Sequence, residues 1–154
     1  MPMGIVTMNM SEFVNEWFGW FEEGMASIDE SQKSLFFSKC AYNCVKKGVL
    51  NLYKEFYLEC GEDFDVFYSN LSSKGYGFGE VIAPNKTYEL AFSECTCKLS
   101  KQGYVKTDQI CECSRQSIIH IMKSLRENIN VEVEKVSTIL GGSDECRFSI
   151  KILD

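Results

Sequence analysis

The hydrophobic period of the chain changes partway along, and that change constrains the fold more than any single motif. Through residues 11–60 apolar side chains recur at helical spacing. From Gly75 onward they recur mainly every second residue, with one late return to helical spacing after residue 114. Helices gathered early and strands gathered late make this a chain of mixed secondary structure.

Residues 11–26 read as a helix capped by Ser11, with Phe13, Val14, Trp17, Phe18, Trp20, Phe21 and Met25 on one arc. Asn15, Glu16, Glu22 and Glu23 lie opposite. A second helix over 31–47 groups Phe37, Cys40, Ala41 and Cys44, away from Lys39, Asn43 and Lys46. A third over 49–60 groups Val49, Leu50, Tyr53, Phe56, Tyr57 and Cys60. On this periodicity Cys40, Cys44 and Cys60 are core residues, since a free cysteine packs as a small hydrophobe.

Strands follow. GYGFGEVI, residues 75–82, alternates glycine with Tyr76 and Phe78, as in a strand whose glycine face is approached closely. It lacks the Lys-Ser/Thr pair and following helix of a phosphate loop. Pro84-Asn85 turns the chain into TYELAF, where Tyr88, Leu90 and Phe92 share a face. Ser114 is the expected N-cap of a late helix striped by Ile118, Ile121, Met122 and Leu125. CRFSIKI then alternates Cys146, Phe148, Ile150 and Ile152. The chain is expected to form one domain over residues 1–154, with 1–10 flexible.

The net charge of −6, with no basic block, speaks against nucleic acid and anionic lipid as partners. No apolar run reaches the roughly 20 residues of a membrane span. The first ten residues have neither the basic nor the apolar segment of a signal peptide. The expected location is therefore the cytoplasm, where Asn85-Lys86-Thr87 is an idle sequon and thiols stay reduced.

Five of the eight cysteines are not absorbed by helical stripes: Cys95, Cys97, Cys111, Cys113 and Cys146. Cys95 and Cys97 fall on the face opposite Tyr88 and Leu90 if that strand continues. Cys111 and Cys113 stand before a helix N-terminus, which favours thiolate. The alternation around Cys146 would also suit a core position. Four thiolates suit tetrahedral zinc, and Lys98, Lys101, Lys106, Arg115 and Arg147 could offset the charge. Reduced structural thiols, and a disulfide or redox role, are the competing readings.

The single histidine, His120, lies opposite its helix's apolar stripe and is expected at solvent or an edge, without a nucleophile in reach. The aromatic face of the first helix reads as core, as a homodimer interface, or as one wall of an apolar pocket. In the pocket reading Trp17, Trp20, Tyr76 and Phe78 are the ligand-binding candidates, with glycines leaving the space; close helix–strand packing is the alternative.

From Tyr88 onward, Cys111-x-Cys113-Ser114 before a helix and Gly141-Gly142-x3-Cys146-x-Phe148 in a hairpin carry a resemblance. They resemble a bacterial group related to the L-2-amino-thiazoline-4-carboxylic acid hydrolases and, distantly, the 4-vinyl reductase domains. The resemblance covers about 65 residues. It implies an α+β domain with N-terminal helices packed on an antiparallel sheet, a late helix and a C-terminal β-hairpin, which senses a small molecule or serves an enzyme, with zinc beside an apolar pocket. In that pattern Cys111, Glu134 and Cys146 match ligand positions. Ser137 stands where another cysteine is usual, so Cys113, Cys95 or Cys97 would have to complete the set. The reading is thus a zinc-holding, cysteine-rich domain that binds a small apolar molecule. A metal-dependent hydrolase of a small carboxylate or amide, and a thiol redox protein, are its rivals.

Overall fold

The structure, a computed structural model, describes residues 8–154; the flexibility expected of residues 1–7 lies outside them. Among the described residues six α-helices and a four-stranded antiparallel sheet make an α+β fold. Helix α1 (Met10–Ala26) begins one residue earlier than its apolar pattern, because Asn9 rather than Ser11 caps it. The Asn9 Oδ1 accepts from the Glu12 amide at 2.9 Å while Glu12 Oε2 accepts from the Asn9 amide at 3.2 Å. This reciprocal box satisfies two donors that the first turn otherwise leaves free. Helix α2 (Glu30–Lys47) repeats the device with Asp29 and Gln32 and ends at Gly48. Helix α3 (Leu50–Glu59) follows, then α4 (Phe64–Asn70), capped by Asp63. The periodic windows read from the sequence do not reach α4.

Strands β1 (Phe78–Ala83) and β2 (Thr87–Phe92) form a hairpin. A short α5 (Lys98–Lys101) and a 3₁₀ turn (Asp108–Ile110) lead into α6 (Cys111–Leu125). Strands β3 (Val131–Ser137) and β4 (Cys146–Ile152) form the C-terminal hairpin. The sheet order is β1-β2-β4-β3, so β4 pairs with both β2 and β3.

Helix α6 does not start where Ser114 predicts. The 3₁₀ turn runs straight into it, and Cys111 and Cys113 occupy its first turn. The amides ahead of that turn are satisfied from a distance: Glu22 of α1 accepts from the amides of Lys106 (2.9 Å) and Thr107 (2.8 Å) and from Thr107 Oγ1 (3.0 Å). A carboxylate brought in by tertiary packing makes a local serine cap unnecessary. Glu22 is accordingly buried, although helical phase alone puts it on the polar side.

The inner face of the sheet carries Tyr88, Leu90, Val133, Phe148, Ile150 and Ile152 against α3, α4 and α6. Tyr68 stacks on Tyr88 at 4.6 Å, and the Tyr88 hydroxyl donates to Asp65 at 2.7 Å. The opposite face is charged, with Arg147 reaching Glu89, Glu145 and, at 3.9 Å, Glu80. Helix α6 is two-sided. Ile118 and Met122 enter the sheet core, and the other side packs on α2. Between them Glu112, 2% exposed, accepts from Arg115, Gln116 and Ser34 Oγ, while Arg115 also donates to the Val133 carbonyl. A buried charge so completely partnered joins α2, α6 and β3.

A second, smaller core gathers Phe37, Val105, Ile110 and Cys111, with Phe18, Phe21 and Met25 of α1 against it. The expectation that Cys40 and Cys44 are core is overturned: both are exposed. The buried ladder of α2 is Lys33, Phe37, Ala41 and Val45. Cys60 is half-buried and packs on the main core.

Candidate functional site

The four residues expected to line one apolar pocket are not neighbours in a common cavity. Trp17 and Trp20 are 46% and 53% exposed. Trp17 stacks on Phe21 at 5.7 Å, and Trp20 lies edge-on to Phe13 at 6.4 Å, so both belong to the outer flank of α1. α1 packs on the Asp108–Ile110 turn, and the helix facing β1 is α4. The glycine face is closely approached, but by backbone. A Cβ on Gly79 would stand 2.1 Å from the Tyr68 carbonyl oxygen. The space left by glycine is filled by α4, which is the close-packing alternative.

Tyr76 and Phe78 do not share a face. Gly77 has φ +112°, a conformation side chains rarely adopt, and it breaks the alternation between them. Tyr76 turns inward, its carbonyl accepting from the Tyr53 hydroxyl at 3.0 Å, with its ring 5.4 Å from Tyr53. Phe78 turns outward and is 58% exposed.

Phe78 borders a half-open cleft of about 280 Å³ where β1 begins and β2 ends. Phe78 and Phe92 give it apolar walls. Ser72, Ser93 and Thr96 supply hydroxyls, Lys101 a cation, Glu94 an anion and Cys95 a thiol. The cleft thus brings together two residues singled out from the sequence, Phe78 and Cys95, with Lys101, whose place there no sequence spacing announces.

The late cysteines divide. Cys111 and Cys146 are buried, and Cys95 and Cys97 half-buried. Burial pushes the Cys111 thiol up to about 12; a hydrogen bond with Thr138 opposes that, and Cys146 and Cys95 add to it. Burial also pushes up Cys146, against a 3.4 Å hydrogen bond from the Ile139 amide, and Cys95 again contributes. Cys95, Cys111 and Cys146 are therefore electrostatic neighbours, with Cys146 in the sheet core and Cys111 in the second core. Cys113 forms a different group: burial raises it to about 12, followed by Cys44, Cys40 and Cys97. Cys97 packs on the second core.

Glu134 is exposed, in the strand register of Ser149, whereas Cys146 points inward. The β3 alternation therefore sets Glu134 on the opposite side of the sheet from Cys146. Ser137 Oγ donates to the Glu145 carbonyl. Among the described residues no three His, Cys, Asp or Glu side chains stand in a metal-holding arrangement. Raised thiols are poor nucleophiles, because thiolate is the reactive form.

His120, expected at solvent or an edge, is half-buried beside α2. Its Nε2 lies 3.1 Å from Ser38 Oγ and 3.0 Å from the Ser38 carbonyl, and its ring meets Tyr42 at 5.5 Å. A carbonyl only accepts, so an Nε2-protonated ring donates to it, whereas an Nδ1-protonated ring can take the proton of Oγ instead. The pair ties α2 to α6 and sets a hydroxyl within reach of the histidine, where none was expected; among the described residues no carboxylate hydrogen-bonds the ring to orient it. Helical phase puts His120 opposite the stripe correctly; the packing of α2 on that side is what a single-helix reading cannot see.

No helix among the described residues is long and apolar enough to cross a membrane. Neither models of known protein families nor curated proteins of known sequence match the chain. Among solved structures it is similar to the crystal structure of a trafficking protein particle complex subunit 3 from Naegleria fowleri covalently bound to palmitic acid. That likeness covers 94% of this chain and 95% of the other, at 15% identity and a TM-score of 0.43.

Proposed function

We propose that the protein is a small-molecule-binding domain whose site is the cleft at the start of β1. One observation supports this above the others: exposed Phe78 and half-buried Phe92 flank Lys101 and several hydroxyls in one concavity. Binding sites combine apolar walls with a few convergent polar groups. At about 280 Å³ the cleft is at the small end of such sites. The ligand class is a small, mostly apolar molecule carrying one acidic group for Lys101. Phenylacetate is a suitable probe. Nuclear magnetic resonance titration should shift amides of residues 92–96 and 77–78 first. Phe78→Ala and Lys101→Ala should each weaken binding about tenfold, the worth of one good contact. Shifts confined to α1, or wild-type affinity in both variants, would sink the reading.

A structural zinc is a second proposal, favoured by the neighbouring thiols Cys95, Cys111 and Cys146. The side chains as placed do not form a ligand set, so binding would require them to reorient. Metal deprotonates its thiols and so reverses the effect of burial on them. Elemental analysis of protein purified without chelator should show about one zinc per chain, lost in Cys111→Ser with the fold retained. Absence of zinc together with eight titratable thiols removes the proposal.

A further inference from the structure

The outer surfaces of α1 and α2 carry opposite charge around exposed aromatic rings. On α1, Phe13, Trp17 and Trp20 are 43%, 46% and 53% exposed. By helical phase the neighbouring exposed arc holds Glu12, Glu16 and Glu23, and the helix has no basic residue. On α2, Leu35, Phe36 and Tyr42 are exposed, beside exposed Lys39, Lys46 and Lys47. Its only acid is Glu30, at the first position. The two apolar surfaces connect, since Phe36 lies 6.0 Å from Phe21, which stacks on Trp17.

Exposed rings in such number are costly to leave in water, and contiguous apolar patches mark interaction sites. The acidic arc of α1 disfavours anionic lipid and nucleic acid. A face that is acidic on one helix and basic on the next is complementary to itself after a twofold rotation. Helix α1 of one copy would then lie on α2 of the other, and the reverse contact repeats it. Pairing α1 with α1 would instead oppose three glutamates to three. Seventeen residues of α1 span about 25 Å, and with α2 they offer enough width for the roughly 800 Å² per partner of a specific interface.

We infer that this face joins two copies of the chain, with the aromatic, acidic side of α1 seated on the apolar, basic side of α2 from the partner. Central tryptophans rimmed by complementary charge are the usual anatomy of such a contact.

Charge reversal tests the pairing. One variant carries Lys39→Glu, Lys46→Glu and Lys47→Glu; the other carries Glu16→Lys and Glu23→Lys and keeps Glu12, which caps α1 with Asn9. All five positions are exposed, so circular dichroism should report wild-type helix content. By sedimentation at micromolar concentration, wild type should be a dimer. Each variant alone should dissociate at least tenfold more readily. Mixing the two should restore a dimer, because each α1 then meets an α2 of opposite charge. Trp20→Ala should weaken the wild-type dimer without changing the charge dependence. A monomeric wild type overturns the inference. So does a dimer indifferent to either charge reversal, or variants that fail to rescue one another.

Discussion

Glu22 offers the sharpest test of how α1 is held. Its carboxylate is 7% exposed as a residue and accepts three hydrogen bonds from Lys106 and Thr107. Bonds to an ionised acceptor contribute about 1.5–3 kcal/mol each when isolated from water. Lys106 and Thr107 are themselves exposed, so water can replace part of what the carboxylate gives. Glu22→Ala should therefore cost about 2–3 kcal/mol rather than the sum. For a chain of this size that lowers the melting temperature by roughly 4–10 °C.

The loss should be local first, because α1 contributes only Phe18, Phe21 and Met25 to the second core, and none of the three is fully buried. Both tryptophans lie on α1, so fluorescence reports its detachment while ellipticity reports the helices α1 to α6 together. In urea, the two signals should coincide for wild type and separate for Glu22→Ala, fluorescence moving at the lower concentration. Glu22→Gln keeps one acceptor oxygen and should fall between. If Glu22→Ala unfolds within about 0.5 kcal/mol of wild type, the carboxylate is not what anchors α1.

Other expectations follow from the same packing. Gly79→Ala should destabilise by about 3 kcal/mol or more, measured by denaturant melts, since its Cβ would meet the Tyr68 backbone rather than a movable side chain. Cys44→Ser, on an exposed site, should change stability by less than about 0.5 kcal/mol, whereas Cys111→Ser buries a hydroxyl and should cost about 1–3 kcal/mol in the same melts. Burial pushes the Glu112 carboxyl up, but bonds from Arg115, Gln116 and Ser34 outweigh it and hold it below the ordinary carboxylate range. A depressed folded pKa gives stability that is full above the unfolded value of about 4.3 and is lost as pH falls through the lower folded value. Glu112→Gln should therefore be less stable at neutral pH and show a flatter acid limb in pH-dependent melts.

The mixture of helices and strands and most element positions are legible in the sequence because each rests on one element's own periodicity. β2 and β4 bury Tyr88, Leu90, Phe148 and Ile150 as alternation predicts, and α3 buries Tyr53, Phe56 and Tyr57. What fails is whatever depends on two elements meeting. Ser114 is a sound cap by local rules, yet Glu22 satisfies the backbone ahead of α6 from 85 residues away. The pocket expected between α1 and the glycine strand needs those elements to be neighbours, and α4, which has no strong sequence signature, stands at the strand instead. Phe78 and Cys95, read from the sequence as pocket wall and metal ligand, border one cleft; Lys101 and Phe92 join them there through the turns around Gly77 and the short α5.

The error over Cys40 and Cys44 has a physical cause of the same kind. Around Phe37 and Ala41, the apolar residues of α2 suggest a stripe that continues through Cys40 and Cys44. The buried ladder instead runs in steps of four, Lys33, Phe37, Ala41 and Val45. It opens on a lysine, which an apolar count discards. Lys33 can occupy that position because its methylene stem packs inward while its ammonium reaches Glu30 at 3.1 Å. A ladder in steps of four drifts about 40° per step, so from Lys33 onward the buried face moves round to Ala41 and Val45 by the level of residues 40 and 44 and leaves both thiols in solvent. A helix flanked by α1 and α6 on different sides has its face chosen by those neighbours together, so the charged residue at the start of the ladder carries as much register information as the apolar ones.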